Sequence, residues 1–237
     1  MELASRGTSV TSTFALTEVT SQGASTLACF HMMCAQCGVI DQDRDRIRSG
    51  HSCAVCGAVG AGASLALPVS IHILVDLTQQ AFHSKADIGP LEGSSQVPEV
   101  GTIIFFCTLR EALLNWLLLR HLRAQDVPTQ LIERMLDDNK SARQRFGELF
   151  KSVTGDTWKV AVSKASVDFG ADLEPTSKLM TDATRVRNSF LHEGNVWVAT
   201  EEFAAQCLNA VPTAVQLFCS LHNVYVHPIV RRMGAQD

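Results

Sequence analysis

The chain has no excess of basic residues. Lys and Arg total 20 against 24 Asp and Glu, which leaves a net charge of −4 and a pI near 6.0. A broad positive coat for non-specific nucleic-acid binding is excluded; a local basic cleft is not. A secretory signal is missing too, because the first 28 residues are rich in Ser and Thr and lack an apolar core flanked by positive charge. No apolar run is clean enough to span a bilayer. The longest, Ile103 to Leu119, is interrupted by Arg110 and Glu111 and reads as a buried helix; Gly57 to Val75 is diluted by Gly, Ser, Pro68 and His72. The expected location is the cytoplasm, with no membrane partner. There is no internal repeat and no strand-rich segment beyond one small module. A phosphate-binding Gly-rich loop, a Ser nucleophile elbow and His-Glu-x-x-His are all lacking, which removes the chemistries they carry.

Apolar residues, by contrast, are plentiful: 46% of 237. That suits one medium domain with a small module attached. Cysteine marks the module. Of eight cysteines, four form two knuckles, Cys34-Ala-Gln-Cys37-Gly and Cys53-Ala-Val-Cys56-Gly. Two such pairs supply four thiolates to one tetrahedral ion, and the glycine after each second Cys allows the turn that points N–H groups at sulfur. The spacing predicts a zinc ribbon over 28–60, holding structural Zn²⁺ with no open position for catalysis. Two disulfides or an iron centre would use the same residues. Chelation is expected to unfold the ribbon and leave the rest folded. Cys29, Cys107, Cys207 and Cys219 are isolated and read as ordinary thiols.

Residues 1–27 are low in charge and rich in Ser, Thr and Gly, so a poorly ordered start is expected. Thr26 to Met33 is the candidate first strand of the ribbon. Between the knuckles, 41–48 balances three Asp against three Arg. It reads as a solvated loop, or as a contact surface for RNA or a protein through Arg44, Arg46 and Arg48. Gly57 to Leu67 reads as a linker. A helical domain then covers 67–230. Pro68 opens its first helix, 84–98 makes a loop, and the most apolar helix follows at 99–123. Helices are expected at Pro128 to Asp138 and Ser141 to Val153; Trp158 to Phe169 reads as a short helix or an irregular segment, and the next helix runs from Asp172–Pro175 to Gly194. The last runs from Thr200 to Tyr225, bent at Pro212. The fold class is mainly α, a helical bundle with a small N-terminal β module. On the apolar helix, Thr108, Glu111 and Asn115 form a polar stripe. Glu111 is either a satisfied buried acid or a group beside an active site.

One stretch, 185–194, breaks the pattern of a plain core helix. Leu179, Ala183, Val186 and Phe190 recur at helical spacing and define a buried face. Gly194 stands where a C-cap glycine belongs, which puts His192 in the last turn. A second stripe carries Thr181, Arg185, Asn188 and His192. Arg187-Asn188-x-x-x-His192 resembles the Arg-x(4–6)-His signature of HEPN domains, in which Asn often follows the Arg. The resemblance implies a HEPN-like helical bundle over 67–230. It also implies a metal-independent ribonuclease that acts as a homodimer, its two motif copies facing each other, among toxin, antiviral-defence or RNA-processing nucleases. Arg187, Asn188 and His192 would be catalytic.

The residue types suit that chemistry. RNA is cut without a metal when its 2′-hydroxyl attacks the adjacent phosphate. Imidazole titrates near neutrality, so His192 suits proton transfer. A guanidinium stays charged and grips phosphate in a fork, so Arg187 suits charge stabilisation. Asn188 can hydrogen-bond the ring or the phosphate. Positions 187 and 192 stand about 140° apart on an ideal helix. Arg185 does share the His192 face and fits the wider spacing of the signature. It is kept as an accessory phosphate contact or substitute, with Glu111 as a second accessory group. Two functions go forward. One is an endoribonuclease whose ribbon selects RNA or docks a protein. The other is a non-catalytic dimeric binding or scaffold module that docks a protein or nucleic acid.

Overall fold

A computed structural model of the chain describes residues 16–20, 23–27, 31–41, 52–58, 63–84 and 96–233. The described residues are mainly helical. In order the helices are α1 (Val69–His83), α2 (Val97–Ala124), α3 (Thr129–Asp138), α4 (Ala142–Gln144), α5 (Phe150–Thr154), α6 (Trp158–Phe169), α7 (Glu174–Glu193), α8 (Glu201–Asn209), α9 (Val211–Tyr225) and α10 (His227–Met233).

The bundle is built around α2. Pro98 sits in its first turn, where a missing N–H costs nothing, and Arg123 in its last turn offsets the helix dipole. Leu109, Leu113, Leu114, Leu117 and Leu118 are at most 1% exposed. By length and composition α2 is long and apolar enough to cross a membrane, yet 61% of its apolar window is buried inside the molecule. It packs against α1, α7, α8 and α9, while α9 also covers α6. Phe106, Phe150 and Phe218 fill the space between these helices.

Two helices differ in detail from the expectation. The helix after Ser141 is not uniform: a π turn over Arg145–Leu149 separates α4 from α5. The Arg145 guanidinium reaches back there to the Asn139 and Leu136 carbonyls. Near Pro212 the chain breaks instead of bending. Pro212 has no N–H for the carbonyl of Leu208, so α8 stops at Asn209 and α9 begins afresh with Pro212 in its first turn.

The β structure is larger than expected. Strands β1 (Leu16–Thr20) and β2 (Gly23–Leu27) pair antiparallel inside the segment expected to be poorly ordered; residues 1–15 of that segment lie outside the described residues. Leu27 therefore belongs to this hairpin, and the first ribbon strand is β3 (Met32–Cys34), not Thr26 to Met33. It is flanked by β4 (Ile40–Asp41) and β5 (Ala63–Leu65), both antiparallel. The presumed linker thus supplies an edge strand. Cys29, the loop arginines Arg44, Arg46 and Arg48, and 85–95 of the expected loop lie outside the described residues.

Candidate functional site

The two knuckles fold alike. Cys34 N–H donates to Val39 O and Gly38 N–H to Cys34 O; Cys53 N–H donates to Ala58 O and Gly57 N–H to Cys53 O. Gly38 and Gly57 turn at φ 75° and 73°, a region that favours glycine. The four sulfurs of Cys34, Cys37, Cys53 and Cys56 lie within 4.8 Å of one another. Cys34 Sγ is 3.8 Å from Cys56 Sγ, and Cys37 Sγ is 3.7 Å from Cys53 Sγ. A disulfide needs about 2.0 Å. A tetrahedron with bonds of about 2.3 Å has edges of about 3.8 Å. The four cysteines can hold one metal ion, and the geometry is compatible with zinc. Burial pushes the Cys37 thiol up to about 12. At Cys53 burial also raises the pKa, but the N–H groups of Cys56 and Val55 outweigh it and bring the thiol down to about 7. Cys107, Cys207 and Cys219 are buried. Burial raises Cys107 to about 11, which suits an inert core thiol.

The motif lies on α7, between Pro175 in its first turn and Gly194, which caps it at φ 68°. His192 is in the last turn, where the spacing puts it. The inward face is rotated from the expected one. Thr176, Met180 and Ala183 are buried, whereas Leu179, Val186 and Phe190 are half-buried. One more turn along the buried stripe reaches Arg187. Its Nη1 donates to Glu111 Oε1 on α2 at 2.7 Å, and its Nε and Nη2 donate to Asn188 Oδ1 at 3.3 and 3.2 Å. The Arg187 side chain is 18% exposed and that of Glu111 38%.

The polar stripe Thr181, Arg185, Asn188 and His192 faces solvent. Arg185 Nη1 lies 3.3 Å from Asp182 Oδ1 on its own helix. The His192 side chain hydrogen-bonds no described residue. Two large apolar side chains, Leu191 at 56% and Trp197 at 61% exposed, flank it along the chain. The fold therefore brings Glu111, Arg187 and Asn188 together and leaves Arg185 and His192 outside that cluster. The cause is the helical angle between positions 187 and 192.

Family models, curated proteins and solved structures give no match to this chain.

Two arginines join the site region without a motif to announce them. Arg110, 8% exposed, donates from Nη1 to Thr184 Oγ1 at 2.6 Å, and its guanidinium lies 3.9 Å from the Phe146 ring centroid. Arg145 donates from Nη1 to Asn115 Oδ1 at 2.8 Å, besides its two carbonyls. The signal for Arg110 was its place inside an apolar run, since a buried cation must find acceptors or a ring face. Arg145 sits among mixed charges and gives no such signal. Arg110 and Arg187 thus lie close enough to repel each other, with the Glu111 carboxylate near both, and Arg145 sits on the neighbouring Asn115. Guanidinium groups so placed can bind and orient an oxyanion.

Proposed function

We propose that this protein is a metal-independent endoribonuclease of HEPN type, cytoplasmic and active as a homodimer. The observation that carries the reading is the cluster of Arg187 and Asn188 on α7 with Glu111 on α2, with His192 in the last turn of α7. In this reading the RNA 2′-hydroxyl loses its proton as its oxygen attacks the adjacent phosphorus. The 5′-oxygen leaves and takes up a proton, so the products are a 2′,3′-cyclic phosphate and a 5′-hydroxyl. His192 moves protons, and Arg187 neutralises charge on the phosphorane. Glu111 and Asn188 hold the guanidinium in place. A twofold partner supplies the second Arg and His. The exposed Leu191 and Trp197 support that interface, because apolar patches of this kind mark contacts. The four cysteines hold structural Zn²⁺, and the ribbon contacts RNA or a protein partner. Toxin or defence roles belong to the same reading.

The test is cleavage of total RNA in EDTA. Fragments ending in 2′,3′-cyclic phosphate are expected, and His192→Ala abolishes them while helicity is retained. Mixing in excess His192→Ala chains is expected to lower activity more steeply than the wild-type fraction. A strictly proportional fall ends the shared-site idea, and cleavage unaffected by His192→Ala ends the nuclease reading. One observation favours the alternative, a non-catalytic binding module: Glu111 already engages the Arg187 guanidinium. RNA left intact in EDTA by a folded protein selects it.

A further inference from the structure

A groove of about 370 Å³ runs between the start of α1 and the exposed face of α2. Pro68 and Ile71 form one wall; Asn115, Trp116, Arg120 and Arg123 line the other. Among the described residues neither Arg120 nor Arg123 has a carboxylate partner. The Arg120 Nη2 donates only to the Met33 sulfur of β3, at 2.8 Å. Burial and then repulsion from Arg123 depress its pKa. Arg145 engages Asn115 through Oδ1, which leaves the Asn115 amide NH₂ as a donor.

On α2 the lining of the groove begins next to Glu111 in sequence, at Ala112, and Asn115 lies one helical turn beyond Glu111. Glu111 is the acid paired with Arg187. From Glu111 to Arg123 the helix rises about 18 Å. Two cations line the groove, Arg120 and Arg123, in a chain whose net charge is −4, and Arg145 holds Asn115 of its lining. Cations gathered in one cleft of an acidic protein focus a positive potential there.

We propose that this groove binds the phosphodiester backbone of single-stranded RNA and leads it toward Arg187, with Arg120 and Arg123 as phosphate contacts and Asn115 as a donor at the end nearer Glu111. The substrate class rests on the nuclease reading above. A space of this size matches a small-ligand site and admits one strand, not a duplex. Pro68 and Leu119 give it apolar surface for base contacts that select no sequence.

The probe is a 2′-O-methyl RNA oligonucleotide, which has no free hydroxyl to attack and is not cut. Binding is followed by fluorescence anisotropy across salt concentrations, using the full chain. Arg120→Gln with Arg123→Gln is expected to weaken binding about tenfold and to flatten the log–log salt slope by about 1.4, the value for two lost single-strand contacts. Arg123→Glu alone, at an exposed position, weakens binding without touching the fold. The charge-matched pair Lys159→Gln with Lys178→Gln, elsewhere on the surface, leaves binding unchanged. The proposal is overturned if the wild type binds no oligonucleotide, or if groove and control variants bind alike. It is also overturned if the groove variants lose polyglutamate binding instead. If groove variants bind and cleave normally while His192→Ala does not cleave, the groove assignment fails and the nuclease reading stands. If the wild type itself does not cleave RNA but the groove variants lose the oligonucleotide, the nuclease reading fails and the groove stands.

Discussion

Arg187 and Arg185 lie two residues apart and have opposite surroundings. Arg187 is turned to α2 and held by Glu111 and Asn188; Arg185 is 78% exposed and touches only Asp182 on its own helix. A guanidinium fixed by two partners loses little freedom when it grips a phosphate, whereas a free one must be ordered first. Arg187→Ala is therefore expected to reduce RNA cleavage by about 10²-fold or more, in line with loss of a charge-stabilising donor. Arg185→Ala is expected to stay within a few-fold. Partial exposure of the Glu111–Arg187 pair limits its worth to stability to about 1 kcal/mol, so neither variant unfolds the protein. Single-turnover rates with circular dichroism check both points. A severe Arg185→Ala with a mild Arg187→Ala would move the phosphate role to Arg185.

At the scale of elements, the ribbon and the bundle are joined more closely than two modules on a linker. Ile40 of β4 is 1% exposed and belongs to the bundle core. Its N–H donates to Asn223 Oδ1 at 2.8 Å, and Asn223 Nδ2 donates back to Ile40 O at 2.9 Å. His31 Nε2 meets Gln216 Oε1 at 2.7 Å in a buried contact. Gly38 approaches Val230 of α10 so closely that a Cβ would sit 3.3 Å from its methyl. Metal removal is thus expected to reach the helices, contrary to an independently unfolding ribbon. Loss of Ile40 burial alone costs about 2 kcal/mol. For a domain of this size that lowers Tm by roughly 4–8 °C. Thermal melts at 222 nm with and without chelator give the shift; an unchanged helical Tm would mean that the knuckle geometry survives without its ion.

Burial lowers the pKa of four histidines, His72, His121, His227 and His222, and His222 is shifted far enough to be expected to contribute to the pH dependence of the whole molecule. This ring is fully buried and stacked on Trp116, 5.5 Å between centroids. Burial, aided by repulsion from Arg120 and His227, lowers its pKa to about 3. The unfolded chain binds this proton near pH 6.5, so it holds more protons than the folded chain between these values. The stabilisation is complete above pH 6.5 and is lost as the pH falls toward 3. Between pH 7.5 and 5 the loss is about 2 kcal/mol, before most carboxylates titrate. Urea midpoints across that range should fall accordingly, and His222→Gln should flatten the slope. An equally steep slope in the variant would assign the effect to other groups.

The sequence determined much of this by itself. Local chemistry fixed the ends of α7 through Pro175 and Gly194, the N-cap of α8 through Thr200, and the two cysteine turns through Gly38 and Gly57. These depend on neighbours within a few residues, and such signals are written along the chain. The buried face of α7 was not legible, because Leu179, Val186 and Phe190 make as good an apolar stripe as Thr176, Met180 and Ala183. Only the position of α2 decided between them. The same packing turned Arg187 inward to Glu111, 76 residues away in sequence, and left His192 in solvent. It also set Arg120 and Arg123 beside the start of α1, where a cleft concentrates charge that the net composition hides. Spacing along one helix gives angles, and angles become contacts only when a second helix supplies the surface they face.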